Sequence, residues 1–260
     1  MALSDVDIAN LALLPLKASP ITSLGDKLTN GSTMDQVYKP ARDAVIRAYP
    51  WNCCMARTSL SALKQGYRTI FGNPNARICY GAVFIEGCCV LGLFPFIAAF
   101  LFELGETSLS IAGIVIAGFA VGGLFYTLTV SRFLPKIGVN GMMIGGAALV
   151  GVQLIAVAMG PEWRLQTLGL IFMGWGFYMI HGSLQVFASE LSAEARATAL
   201  SLHAFFFFMG QTIGPIAYGF GIQHAGKVPT LLTAGTVMIA LGFACAKLLR
   251  QTRPADAAAT

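Results

Sequence analysis

Residues able to do chemistry stand out because they interrupt stretches that are otherwise apolar. Glu86 is the lone charged residue between Ile78 and Phe102. Gly174, Tyr178, His181 and Gln185 follow one another at spacings of four, three and four, which places them on one helical face. His203, Gln211 and Tyr218 follow at eight and seven, with Gly214 and Pro215 alongside. A charge in lipid is costly, so Glu86 reads either as a proton- or cation-coupling carboxylate or as a neutral acid bonded to a neighbouring helix. The two polar stripes fit helix–helix hydrogen bonding or the lining of a cavity. Trp175 can stack on a ligand or pack in the core, and Phe205 to Phe208 read as packing.

The elements that hold these residues follow from charge and hydropathy. Of 260 residues, 56% are hydrophobic and 11% charged, and the mean hydropathy is +0.69. A soluble domain carries about 25% charged residues, so a water-filled surface cannot be built from this composition. Residues 1–77 hold 14 charges, and the much longer stretch 78–250 holds 13. Six intervals there are long enough for a helix across a hydrocarbon layer about 30 Å thick. They run from Ile78 to Phe102, Thr107 to Ser131, Ile137 to Pro161, Leu165 to Ser189, Ala197 to Gly226 and Val228 to Ala246. Only the first contains a charge, Glu86, about 12 Å below the start of its span at 1.5 Å per residue.

Basic residues orient the spans. Lys64, Arg68, Arg77, Arg132, Lys136, Arg196, Lys247, Arg250 and Arg253 fall on one side, against Arg164 and Lys227 on the other. Both termini are therefore expected in the cytoplasm, in a bacterial inner membrane. The net charge of +5 suits basic loops facing an anionic leaflet, and no basic run of the nucleic-acid-binding kind occurs. Between Ile78 and Arg250 lie 25 of the 29 glycines, with G-x-x-x-G at Gly118/Gly122, Gly141/Gly145 and Gly210/Gly214, which lets helices approach closely. Pro95 and Pro215 are candidate kinks. Cys53/Cys54 and Cys88/Cys89 are adjacent pairs and no C-x-x-C occurs, so zinc and redox motifs are absent. No phosphate-binding loop, dinucleotide fingerprint or nucleophile elbow appears, and neither an enzyme, a cofactor nor a metal is expected.

Glu190-Leu-Ser-Ala-Glu-Ala-Arg-Ala-Thr-Ala-Leu-Ser-Leu, running on to Gly210-Gln-Thr-Ile-Gly-Pro215, resembles the loop and eleventh helix of bacterial efflux members of the major facilitator superfamily. Arg132-Phe-Leu-Pro-Lys136-Ile-Gly138 occupies the place of that family's basic gating loop, without the acidic residue usual before the arginine. The resemblance covers about residues 67–250. It implies an all-α half-bundle of six transmembrane helices, a proton-coupled efflux transporter of a small molecule, and a site near the midplane between two such bundles. In that family the fourth span here would line the central cavity. Tyr178, His181, Gln185 and Gln211, with Trp175, then become substrate contacts, Glu86 the coupling acid, and Arg132 and Lys136 the gating loop. One bundle alone is expected to be inactive without a second six-helix half or a second copy.

Residues 1–63 read as a short helical segment, with one helix over Asp5 to Leu14 and another running toward Tyr49. Met1-Ala-Leu-Ser-Asp-Val-Asp-Ile-Ala-Asn and Tyr38-Lys-Pro-Ala-Arg-Asp-Ala-Val-Ile-Arg-Ala-Tyr-Pro-Trp51-Asn resemble the start of tailed-phage head–tail adaptor or tail tubular proteins. Residues 64–77 are then a cytoplasmic linker, 78–250 the bundle and 251–260 a cytoplasmic tail. The rival readings are an adaptor-derived structural protein and a non-functional gene fusion. The expressed chain is expected to stay in the membrane pellet through alkaline carbonate washing; release into the supernatant would remove the membrane reading.

Overall fold

A computed structural model of the chain describes residues 60–249 and, before them, Val6, Asn10, Pro20, Thr22, Ser23 and Tyr38. The two expected N-terminal helices, the phage-adaptor resemblance, Cys53/Cys54 and the tail 251–260 lie outside the described residues, apart from those single positions. The chain divides into two units, Met1–Ser59 and Leu60–Thr260. Everything below concerns the second.

Among its described residues that unit is built of helices joined by short turns. Helix α1 (Leu60–Gly72) precedes α2 (Pro74–Val90), a 3-10 turn (Leu91–Leu93) and α3 (Phe94–Glu103). Then come α4 (Leu109–Ala158), α5 (Trp163–Ser189), α6 (Arg196–Ala225) and α7 (Lys227–Leu248). The start of α2 is written locally: the Asn73 side chain accepts from the Asn75 N–H at 3.0 Å, and Pro74 fills the first helical position, where a missing N–H costs nothing. Asn73 Nδ2 also donates to the Leu191 carbonyl, tying this start to the loop before α6.

Five stretches are each long and apolar enough to cross a membrane, α2 with α3 forming one of them. One of the five holds two of the expected spans. At 50 residues α4 would be about 75 Å long, more than twice the hydrocarbon thickness. It is broken at Gly138, where φ 66° and ψ 177° put the backbone in a region open essentially to glycine alone. Contacts with α5 show the reversal. Before Gly138, Gly118 faces Thr167, Gly122 faces Gly174 and Tyr126 faces Gly182, both chains running the same way. After it, Gly145 faces Met179, Gly146 faces Gly176 and Gln153 faces Gly169, so the order is inverted. Two antiparallel arms therefore stand against one helix, and the unit has six spans. The segment from Arg132 to Lys136, expected as a loop, is helical, and the turn is confined to Gly138. Its polar side chains remain exposed at the membrane end without interrupting the helix.

The spans pack in a pattern that repeats when the first three are exchanged with the last three. Span five lays Gly210 and Gly214 on span one, and span two lays Gly118 and Gly122 on span four. Spans three and six meet through Gly151, Gly235 and Gly242. These crossings are backbone to backbone: a Cβ at Gly214 would stand 2.6 Å from the Cys88 carbonyl oxygen, and one at Gly118 2.8 Å from that of Thr167. Pro95 sits in the first turn of α3, directly after the 3-10 break, whereas Pro215 lies inside a helix that runs unbroken. Both flank the point where Gly92 meets Gly214. At the opposite end from Arg77, Lys227 pairs with Glu103 and stands 5.0 Å over the Phe100 ring, joining the end of span one to the start of span six.

Gly210→Ala would drive its Cβ into the Phe84 carbonyl, and the expected cost is about 1–3 kcal/mol in reversible unfolding from detergent micelles. Gly113→Ala, which meets nothing within 4 Å, should change stability by less than about 0.5 kcal/mol. Equal losses at the two sites would rule out the crossing as the cause.

Candidate functional site

Glu86 stands twelve residues into α2, one position before the Gly87 crossing. Because Gly87 lies against the backbone of Phe207 and Gln211, helix α6 closes over this level of α2 and removes the carboxylate from the surface. Glu86 is wholly buried, at 0% exposure. Its Oε2 lies 2.9 Å from Nδ1 of His181 on α5, a bond across 95 positions of sequence. The proton between them can rest on either atom. In one arrangement an imidazolium donates to a carboxylate; in the other a carboxylic acid donates to a neutral ring. Oε1 has no hydrogen-bond partner.

Three aromatic rings hold His181 in place. Phe177, one turn back on the same helix, stacks on it at 4.9 Å, Phe207 of α6 meets it edge-on at 4.8 Å, and His203 of α6 lies 5.1 Å away. His203 is itself buried, with Nε2 unpartnered. The cluster thus draws an acid from span one and two imidazoles from spans four and five. The His181 side chain is 17% exposed against 0% for Glu86, so the imidazole stands between the carboxylate and the open face of the bundle. Cys79, Cys89 and Cys245 complete the titratable surroundings of Glu86 on α2 and α7. Among the described residues no group of His, Cys, Asp and Glu is arranged to hold a metal ion.

On that open face Tyr178 and Gln185 are exposed, as the stripe spacing on α5 requires, with His181 between them. Tyr178 stacks on Tyr126 of span two at 6.1 Å, its ring lying over Gly123. Gln211 is exposed one turn beyond Phe207. It does not share the environment of His203 and Tyr218, which line the buried stripe of α6 together with Ala199, Gly210 and Gly214. Tyr218 donates to the Cys89 carbonyl at 2.7 Å. Trp175 is turned away from the other candidates. Its Nε1 donates to Thr129 Oγ1 at 3.1 Å, and it lines a separate lateral groove with Phe133, Leu149 and Met179. Arg132 and Lys136 are exposed, with no ion pair among the described residues.

Sequence reasoning treated Glu86 and His181 as members of different sites; the fold makes them partners. It left His203 out of the substrate contacts that include Gln211, read Phe207 as packing, and passed over Phe177. Phe177 was legible in principle, since it lies at i−4 from His181 on a helix. Gln166, buried with neither amide atom hydrogen-bonded, lies far along α5 from this cluster.

A double-mutant cycle of Glu86→Gln and His181→Ala, followed by unfolding in detergent, is expected to return a coupling of about 1–3 kcal/mol. Strictly additive losses would show that the two side chains merely lie near each other.

Comparison with known proteins is consistent with this architecture. The sequence profile of the Major Facilitator Superfamily matches residues 55–260, beginning some twelve positions before the stretch that carried the resemblance. An uncharacterized MFS-type transporter of Bacillus subtilis (strain 168), YceJ, is 24% identical over 165 residues, which are 62% of this chain and 42% of that protein. The match therefore spans less than half the length of this relative. No solved structure matches the chain. With six apolar spans packed through glycine crossings, and a family match running from residue 55 to residue 260, the chain belongs to the Major Facilitator Superfamily.

Proposed function

We propose that the bundle is one half of a secondary active transporter that exports a small molecule in exchange for protons across a bacterial inner membrane. The observation that supports this reading best is the placement of Glu86, fully buried and bonded to a His181 that reaches the open face beside Tyr178 and Gln185. A carboxylate so placed exchanges its proton with the cavity through the imidazole. Substrate then meets Tyr178, Gln185 and the edge of His181, with Gln211 on the neighbouring helix. Binding and protonation compete because both act on the same imidazole. Trp175, committed to Thr129 and a different groove, plays a packing role in this scheme.

Alternating access needs two bundles around the site. We therefore assign the working unit to this bundle together with a second six-helix half, whether on a longer chain, a separate chain or another copy. Alone it is inactive. The end bearing Arg77, Arg132, Lys136, Arg196 and Lys247 faces the cytoplasm in this reading, which puts both termini there and lets Arg132 and Lys136 meet the second half as the gate closes. Residues 1–63 enter only as an appended segment of phage-adaptor type, on the residues quoted above.

The test uses everted membrane vesicles carrying this bundle with its second half, energised by respiration and screened with a panel of small organic cations, anions and neutral compounds. A transported compound should collapse the pH gradient. Glu86→Gln should abolish that collapse, and His181→Ala should lower it by about 10²-fold or more. A collapse that survives in Glu86→Gln would remove the coupling role.

A further inference from the structure

Helix α1 lies apart from the transport site and has two different sides. Gly66 sits against the Cβ of Ala195, and Ile70 is buried with Ala76, Tyr80, Leu191 and Ala199. That side fastens the helix to the bundle. Lys64, Tyr67, Arg68 and Phe71 fall at i, i+3, i+4 and i+7, which is one continuous helical face. All four are exposed, the two aromatic rings at 43% and 45%. The sequence has no acidic residue between Asp43 and Glu86, and no ion pair among the described residues engages Lys64, Arg68 or the exposed Arg77.

The height of α1 in the bundle follows from its contacts. The Phe71 ring meets Tyr80 edge-on at 6.0 Å and Gly66 meets Ala195 in the loop before α6, so α1 lies across this end of the bundle instead of continuing away from it. Tyr80 lies three residues beyond Arg77, the last charge before the apolar stretch, which is about 4.5 Å of helix. The outward face of α1 therefore stands level with the headgroup layer. Cations beside large aromatic rings at that depth match what a membrane interface selects: rings at the ester level, ammonium and guanidinium groups on the phosphates.

We propose that α1 is a surface helix that binds anionic phospholipid headgroups of the leaflet at the basic end of the bundle, through Lys64, Tyr67, Arg68 and Phe71. Charge complementarity chooses this occupant, because three cations without an ion pair among the described residues lie at headgroup height with no carboxylate near them in sequence. The assignment is independent of what the bundle transports. Through Asn73, which caps α2 and holds the Leu191 carbonyl, a lipid-held α1 fixes the start of span one and the loop before α6 in the same leaflet.

The experiment places the full chain in nanodiscs of phosphatidylcholine, with or without phosphatidylglycerol, and follows amide hydrogen exchange across residues 64–72. Exchange should be roughly tenfold slower when phosphatidylglycerol is present, and the difference should fade at high ionic strength. The Lys64→Gln/Arg68→Gln pair should erase the difference while leaving exchange in the six spans unchanged, and Lys64→Arg should keep it. Equal exchange in the two lipids, a slowing that persists in the double variant, or one that appears only after soluble protein is added, would each overturn the proposal.

Discussion

Where span five crosses span one, only hydrogen fits between the two backbones. Gly87, Gly92, Gly210 and Gly214 bring carbonyls of one helix against the Cα atoms of the other, and the same device joins spans two and four. Lipid tails are as apolar as leucine, so burial of hydrophobic surface does little to hold helices together here, and close van der Waals contact must do it. The crossing is also what buries Glu86, its neighbour in sequence. A larger residue at Gly87 or Gly210 would push α6 outward and open the carboxylate to the surface. Phe207 and His203 would move with it, away from His181. The acid–imidazole cluster is thus a consequence of the glycine contacts.

The cluster in turn gives the bundle a polar link that draws on three spans. A carboxyl group with one oxygen bonded and one unpartnered is tolerated in this interior because the bonded oxygen faces a side chain able to hold or release the shared proton. Spans one, four and five are the elements that this cluster joins. Spans three and six meet through glycine and apolar contacts, and span six brings Cys245 toward Glu86.

Much of the architecture was legible because it is local. The ends of spans four, five and six fall within two residues of the expected ones, since a charge at the membrane surface or a turn glycine marks each end. The role of Gly118/Gly122 and Gly210/Gly214 in packing followed from their spacing. The Arg132–Lys136 segment was different: polar residues and Pro135 read as a loop, but a helix accommodates exposed polar groups at its end, and one glycine sufficed to reverse the chain. Residues 64–77 read as a linker because they are short and charged. The fold shows most of them to be helix, with Ile70 inserted between α2 and α6.

The sequence by itself determined that this chain spans a membrane, how many times it crosses, and which end is basic. Each of these is a sum over neighbouring residues, and hydropathy needs no knowledge of distant partners. Only the tertiary structure decided that Glu86 and His181 are bonded, that His203 joins them, and that Gln211 and Trp175 face elsewhere. Those outcomes depend on how each helix is rotated about its axis, and that rotation is set by glycine contacts between segments about a hundred residues apart. A spacing rule places residues on one face of a helix, but it does not say which neighbour that face will meet.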